Sequence, residues 1–206
     1  MSCRTPFQNS FPLDEAGLCA LCRSGLRGFD AAYSFGAYEG VLRQLIHLYK
    51  YAGIRTLSRP LTALLGQALP RDEAFDAIVP VPLYWRRRLQ RGFNQAELLA
   101  HGISRQTGIP MAKALRRLRA TATQAGLSNH SRRQNVTRAF GARNVQGKRI
   151  LLIDDVMTTG ATASACATAL KQAGARRVSL LTVARVDRRM DGWRLTAAQT
   201  MVGGKA

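Results

Sequence analysis

The chain has 206 residues, 46% of them hydrophobic, and carries 31 Lys and Arg against 12 Asp and Glu, a formal net charge of +19. This length and composition suit one α/β domain with a small appendage and allow a real core to be buried. Because no run of about 18 apolar residues occurs and residues 1–18 lack the apolar stretch of a secretory signal, we expect a cytoplasmic protein without a membrane span.

The N-terminal segment is predicted to be a small cysteine knuckle. Cys19 and Cys22 form a CxxC pair, and Cys3 could supply a third thiolate to a tetrahedral zinc site. A closed structural site needs four ligands, so these three cysteines leave the presence of zinc open. Cys166 lies far along the chain in a helical segment and is predicted to be a small core residue.

The next segments predict alternating strands and helices. Residues 29–38 alternate aromatic and small side chains, which is typical of a strand. Apolar side chains at helical spacing predict one helix from residue 39 to a stop at Gly53 and a second over residues 57–69. The apolar run at residues 77–83 predicts a buried strand that ends at its prolines.

Positive charge is concentrated in residues 84–149, which hold fifteen Lys or Arg and one acid, Glu97. Within them, residues 85–92 are predicted to be a basic loop and residues 93–107 a helix. An arginine-rich solvated surface would explain this charge. A surface that meets polyanions, either the phosphates of a small ligand or nucleic acid, would explain it equally.

The last third of the chain begins with a polar stretch without apolar period, residues 119–140, which is either a disordered linker or a working loop. Residues 148–153 then predict the strongest strand. An alanine-rich helix over residues 161–173 and a buried strand over residues 178–186 follow it. This order predicts a right-handed parallel crossover, and residues 191–206 are predicted to be a flexible tail.

The turn between that strand and that helix carries the clearest chemical signal. The strand leads to Asp154 and Asp155 at its carboxyl end, which is where ligands bind in open α/β sheets. The following turn exposes backbone N–H groups at a helix N-terminus and so favours an anion. Gly160 permits close approach of the backbone, and hydroxyl groups come from Thr158, Thr159 and Thr162.

Two carboxylates would repel a phosphate, so the acid pair is expected to face hydroxyl groups, or magnesium, at the other end of the same small molecule. A ribose 5-phosphate has this layout, with a phosphate at one end and vicinal hydroxyls at the other. The alternative is an ordinary strand-to-helix turn with Asp and Thr as caps. A cap explains one such residue but not both acids and the threonine cluster.

Residues 150–163 closely resemble the signature by which type I phosphoribosyltransferases bind phosphoribosyl pyrophosphate (PRPP): a hydrophobic strand, an acid pair, then Thr-Thr-Gly-Ala-Thr. The resemblance implies a type I phosphoribosyltransferase-like parallel sheet flanked by helices, with PRPP bound together with Mg²⁺. It implies that Asp154 and Asp155 contact the ribose hydroxyls. The residues it implies for the 5-phosphate are Thr158, Thr159, Gly160, Ala161 and Thr162.

Several further segments carry a second resemblance: Tyr38-Glu-Gly40, Tyr49-Lys-Tyr-x-Gly53, Val79-Pro-Val-Pro-Leu83, Arg91-Gly-Phe-Asn-Gln95, Arg119-x-Thr-x-x-Gln124, Arg133-x-Asn135 and Phe140. Together they are similar to the ComF family, cytoplasmic bacterial proteins linked to DNA uptake and related to amidophosphoribosyltransferases. The resemblance implies a phosphoribosyltransferase-like domain over residues 29–190. Family members usually begin with a four-cysteine zinc ribbon. Here residues 1–28 resemble a truncated one, because the first cysteine of the first CxxC would lie before Met1.

The same resemblance implies two further groups of site residues. In related transferases the loop after the strand at residues 78–81 meets pyrophosphate, which by position implies Arg86, Arg87, Arg88 and Arg91, whose guanidinium groups pair well with oxyanions. A flexible catalytic lid occupies the position of the polar stretch. Its candidate residues are Arg119, Thr121, Gln124 and Arg133. A solvated basic loop and a disordered linker are the respective alternatives.

Whether the chain is an enzyme is left open by its sequence. As a phosphoribosyltransferase it would transfer the phosphoribosyl group to a nitrogen nucleophile and release pyrophosphate. As a non-catalytic factor in DNA uptake and natural transformation it would handle single-stranded DNA, with competence-machinery proteins as partners. Tyr84 and Trp85 could then stack on a base, or else anchor their loop. A PRPP-sensing regulator is a third hypothesis.

Overall fold

A computed structural model describes residues 2–3, 28–118 and 139–186. In chain order the elements are β1 (Ser2–Cys3), β2 (Ala31–Ala37), α1 (Gly40–Tyr51), a 3-10 helix (Arg55–Leu57), α2 (Ser58–Gln67), β3 (Ala77–Pro80), α3 (Trp85–Arg91), α4 (Gln95–Thr107), β4 (Leu115–Arg117), β5 (Phe140–Ala142), β6 (Arg149–Met157), α5 (Ala161–Gln172) and β7 (Arg177–Arg185).

The main sheet is parallel throughout its described part, in the strand order β1-β2-β7-β6-β3. A separate antiparallel pair is formed by β4 and β5. Because all strands of the main sheet run the same way, their carboxyl ends meet at one edge, and β6 and β7 bring their ends to its middle. The predicted parallel α/β sheet and the parallel β6–α5–β7 unit are confirmed.

Helices cover both faces of this sheet. Ile150 and Leu152 of β6 pack in the core beneath α5 and the β4–β5 pair. Leu151 and Ile153 pack in a second core formed with α1, α2 and α4. Successive side chains of a strand point to opposite faces, so a strand buried on both sides reads as a continuous apolar run. Each of these fully buried side chains contributes about 1.5–3 kcal/mol.

One predicted element is wrong, because residues 85–91 form the helix α3 and not a basic loop. Tyr84 before it is extended, and Gly92 ends it in the left-handed conformation at φ 72°. The intervening Arg, Leu and Gln residues all have good helix propensity. The helix buries none of its residues, so it has no apolar stripe from which the sequence could predict it.

The amino-terminal half of the sheet is held by a buried polar cluster around Glu73. Its carboxylate accepts hydrogen bonds from the Tyr33 hydroxyl at 2.6 Å, from Arg177 Nη2 at 2.8 Å and from Ser179 Oγ at 2.8 Å. Burial alone would raise the pKa of Glu73, but these hydrogen bonds lower it on balance. The cluster ties the loop before β3 to β2 and β7, away from the carboxyl ends of the strands.

Several predictions fall outside the described residues: Cys19 and Cys22, the side chain of Cys3, the candidate lid residues Arg119, Thr121, Gln124 and Arg133, and the C-terminal tail. The zinc knuckle therefore stays a prediction. Cys166 is confirmed as a core residue, fully buried in α5. Among the described segments, none of the helices has the length and apolar character that crossing a bilayer requires.

Candidate functional site

Strand β6 carries the acid pair within the sheet itself. The strand continues past its predicted end, through Asp154 and Asp155, to Met157. Asp154 lies opposite Thr182 of β7. The backbone N–H of Asp155 donates to the Asp154 carboxylate over 2.9 Å, which links the positions of the two acids. The half-buried Asp154 and buried Asp155 thus sit on a rigid element.

The turn after β6 borders a cavity that is open to solvent and encloses about 280 Å³ of empty space, part of it solvent. Asp154 lies on its wall, and Thr182 of β7 lines it as well. The residues of the turn and of the start of α5 that line it are Thr158, Gly160, Ala161 and Thr162. Asp155 is absent from its lining. The Asp154 carboxylate and a threonine-rich helix start therefore share one cavity. The sequence predicted this place for both acids, but Asp155 does not line the cavity.

The turn has a backbone conformation that requires glycine at its last residue before α5. Gly160 precedes α5 in the left-handed conformation at φ 71°, which a residue with a Cβ adopts only with strain. The Thr159 hydroxyl accepts from the N–H of Ala161 at 3.3 Å, and Thr159 does not line the cavity. N–H groups in the first turn of a helix lack intrahelical partners and favour an anion.

A residue outside the predicted site, Lys50 of α1, contacts the acid pair. Its Nζ lies 2.9 Å from Oδ1 of Asp155, with side chains 16% and 10% exposed. Burial alone would lower the pKa of Lys50, but the charge and hydrogen bond of Asp155 raise it on balance. In the sequence, Lys50 lies within the segment Tyr49-Lys-Tyr-x-Gly53, which resembles the ComF family. That resemblance did not indicate a role for the lysine.

The two carboxylates have different electrostatic environments. Burial, and then the neighbouring charge of Asp155, raise the pKa of Asp154 to about 7, although Lys50 and Arg91 oppose the shift. Burial and the Asp155 charge also raise the pKa of the Tyr49 hydroxyl. Asp155 is therefore the acid that pairs with Lys50, and Asp154 is the acid whose charge the surroundings disfavour.

Only part of the arginine set predicted for pyrophosphate is near the acids. Arg91 is half-buried, donates to Gln95 Oε1 at 3.4 Å and lies 5.0 Å from the ring centroid of Tyr51. Its charge acts on Asp154. The other three are exposed on α3: Arg86 lies over the Trp85 ring and Arg88 is 3.8 Å from Glu97, while the charge of Arg87 acts on Arg117.

Arg91 is held by the start of α4. The Asn94 side chain caps this helix by accepting from Ala96 N and donates to Val81 O at 3.1 Å, which joins the end of β3 to α4. Gln95 is 2% exposed, and its backbone carbonyl accepts from the Tyr49 hydroxyl at 3.0 Å. Its Nε2 is buried without a hydrogen-bond partner in the described structure. The oxygen of the same amide accepts the hydrogen bond from Arg91.

No cluster of three or more His, Cys, Asp or Glu residues suited to a metal ion occurs within residues 28–118 and 139–186. Burial raises the pKa of the Cys166 thiol well above its usual range, which does not favour a thiolate ligand there.

Comparison with known proteins places this geometry in context. Residues 93–198 match the family described as phosphoribosyl transferase domain. Competence protein F of Haemophilus influenzae is 34% identical over 179 residues, covering 81% of this chain and 78% of that protein. The DNA utilization protein YhgH of Escherichia coli K12 is 34% identical over 175 residues, covering 79% and 75%. Competence protein ComFC of Bacillus subtilis is 30% identical over 155 residues, covering 72% and 61%.

Two solved structures are similar at a lower level. The glutamine PRPP amidotransferase from B. subtilis is 26% identical with a TM-score of 0.44, over 61% of this chain and 26% of that one. A phosphoribosyltransferase from Corynebacterium diphtheriae is 21% identical with a TM-score of 0.43, over 78% and 85%. This chain thus spans about a quarter of the amidotransferase.

Proposed function

Because the chain belongs to the ComF family and contains a phosphoribosyl transferase domain, we propose that it binds magnesium-bound PRPP at the carboxyl end of β6 and transfers the phosphoribosyl group to a nitrogen nucleophile. The observation that carries the proposal is the single cavity that Asp154 shares with the helix start at Gly160. One small molecule with hydroxyls at one end and a phosphate at the other fits both.

Each part of the site has a role in this reaction. The ribose hydroxyls donate to Asp154, and the 5-phosphate accepts from N–H groups at the start of α5 and from Thr158 and Thr162. The bond between the anomeric carbon and the pyrophosphate oxygen breaks, and its electron pair leaves with pyrophosphate. The nitrogen lone pair forms the new bond, and the nitrogen then loses a proton. The transition state has oxocarbenium character.

The protein contributes positioning and electrostatics to this step. Among the four candidate arginines, Arg91 is the one whose charge acts on Asp154, so we assign to it the stabilisation of charge on the leaving pyrophosphate. No side chain has to attack the sugar, so the chemistry needs no activated nucleophile of the protein. The rate then depends on how well the cavity aligns the anomeric carbon with the incoming nitrogen.

Two measurements test this function. Pyrophosphate release from PRPP is followed with ammonia and a panel of nitrogen bases, and we expect turnover with at least one of them. Calorimetric titration with magnesium and PRPP is compared between the wild type and the double variant Asp154→Asn/Asp155→Asn. We expect binding to be abolished in the double variant while its circular dichroism stays native. Unchanged affinity would refute the site.

A second candidate function, handling of single-stranded DNA without turnover, is favoured by the surface of α3. Trp85 is 57% exposed and Leu89 is 75% exposed, beside the exposed Arg86, Arg87 and Arg88. Aromatic side chains that stack on bases and cations that follow the backbone are the usual elements of single-strand binding. If no oligonucleotide binds at moderate ionic strength, this candidate is rejected.

A further inference from the structure

Lys50 reaches the acid pair from a part of the chain that precedes the matched transferase segment at residues 93–198. It lies in the last turn of α1, next to the buried Tyr49. Its ammonium group is mostly buried and ion-paired to Asp155 at 2.9 Å. A largely buried ion pair of this kind costs several kcal/mol to break by removing one partner, because the other charge is left uncompensated.

The acid pair is divided by this contact. Asp154 lines the cavity, whereas the Asp155 side chain is turned to α1 and does not line it. The two acids stay linked, because the backbone N–H of Asp155 donates to the Asp154 carboxylate at 2.9 Å. The Asp155 backbone therefore supplies one hydrogen bond to the carboxylate that meets the cavity.

We propose that Lys50 is a positioning residue of the ribose site: by anchoring Asp155 to α1 it holds Asp154 in the orientation that receives the sugar hydroxyls. This inference rests on the proposed function, since it needs a sugar phosphate in the cavity. It assigns the two acids different roles, with Asp154 as the ligand-facing carboxylate and Asp155 as the link between Lys50 and Asp154. Lys50 itself does not touch the ligand.

The test measures separately how much the sugar and the phosphate contribute to binding. Calorimetry measures the dissociation constants of inorganic phosphate and of ribose 5-phosphate. The first divided by the second is the sugar gain, the factor by which the sugar strengthens binding. Hydrogen bonds to a charged group predict a wild-type gain of about tenfold or more. In Asp154→Asn we expect the gain to fall close to one. In Lys50→Met and Lys50→Gln we expect it to fall at least about threefold, with phosphate affinity unchanged, and Lys50→Arg should retain most of it.

Lys171→Met is the control, because Lys171 forms a more exposed lysine–aspartate pair, with Asp30 at 2.7 Å, in the last turn of α5, at the other end of that helix from the cavity, and should leave the gain unchanged. Lys50→Gln decides the question if Lys50→Met does not fold. In an Asp155→Asn background, adding Lys50→Met should lower the gain no further.

Each of the other possible outcomes contradicts either the proposed function or the positioning role of Lys50. A wild-type protein without any sugar gain removes the proposed function itself. A wild-type gain that survives in Lys50→Met and Lys50→Gln overturns the positioning role alone. Equal weakening of phosphate and ribose 5-phosphate shows a general structural effect and also overturns it. A further loss in the Asp155→Asn background shows that Lys50 acts on Asp154 or on the sugar without Asp155, which contradicts the inference.

Discussion

Asp154 and Thr182 lie opposite each other in β6 and β7, and both line the same cavity. Thr182 is in turn hydrogen-bonded to Ser34 of β2, with 2.7 Å between two buried hydroxyl oxygens. Polar side chains therefore lie side by side on three neighbouring strands of the sheet. One of them is the Asp154 carboxylate, whose charge is disfavoured by burial, so the site should reduce the stability of the fold.

Replacing Asp154 by Asn should stabilise the protein at alkaline pH. The pKa of Asp154 is raised from 3.8 to about 7 in the folded state, so between these values the folded chain binds more protons than the unfolded one. Wild-type stability therefore falls as pH rises through this window. The variant loses this dependence, and we expect its free energy of unfolding to exceed the wild type's by about 1–2 kcal/mol at pH 8.

Urea unfolding at pH 5 and pH 8 measures this difference, which should be small at pH 5. Asp155→Asn is the control, because it leaves Lys50 without its partner and should destabilise the protein at pH 8. A stability change in Asp154→Asn of equal size at both pH values would contradict the prediction.

Replacing Gly160 by Ala should weaken anion binding. At φ 71° the new Cβ is strained, and we expect a loss of stability of about 1 kcal/mol. Relief of that strain turns the N–H groups at the start of α5, so inorganic phosphate should bind about fivefold or more weakly, as expected for loss of one N–H hydrogen bond to an anion. Calorimetry with phosphate measures this effect.

Gly147→Ala provides the matched control for the turn. Gly147 has the same φ of 71°, and a Cβ at this position would meet no atom within 4 Å. It precedes β6 at the opposite end of the strand from the cavity. Stability should fall by a similar amount, with phosphate affinity unchanged. Equal loss of phosphate affinity in both variants would show that the turn has no special role.

The parts of the site that sequence could predict are those whose signal is local. The turn at residues 158–162 follows a buried apolar run, and strand, acid pair, glycine and helix are contiguous. Lys50 and Thr182 were missed because their relation to the acids depends on the packing of α1 and β7, far away in the chain. One weak indication of Thr182 was present in the sequence, because it is a polar residue within the mostly apolar strand β7. Helix α3 was missed because it has no buried face.

Replacing Glu73 by Gln should destabilise the fold and leave the site intact. The amide keeps the shape of the side chain but loses charge-assisted hydrogen bonds to Tyr33, Arg177 and Ser179. We expect a loss of about 2 kcal/mol at pH 7. The pKa of Glu73 is lowered in the folded state, so its contribution is present above pH 4.5 and is lost as pH falls below that value.

Urea unfolding at pH 7 and at pH 3.5 measures the difference between Glu73→Gln and wild type, which should shrink at the lower pH. Phosphate affinity serves as the internal control, since the cluster lies at the amino-terminal half of the sheet. A loss of stability that is independent of pH would mean that the substitution disturbs packing and not charge.

The surface of α3 gives the last prediction, which separates nucleic-acid binding from a merely solvated basic helix. If single-stranded DNA follows this helix, replacing Arg86, Arg87 and Arg88 by Gln should reduce the slope of log affinity against log salt by about 2, because each neutralised phosphate contributes about 0.7. Trp85→Ala should weaken binding by about 1–3 kcal/mol at every salt concentration through lost stacking. The control for the α3 variant replaces three arginines that are exposed on α1, α2 and α4, namely Arg43, Arg59 and Arg105, by Gln.

This control removes the same charge from the protein. An equal change of slope in both triple variants would therefore show that binding depends on net charge alone. It would also show that α3 is not the contact surface.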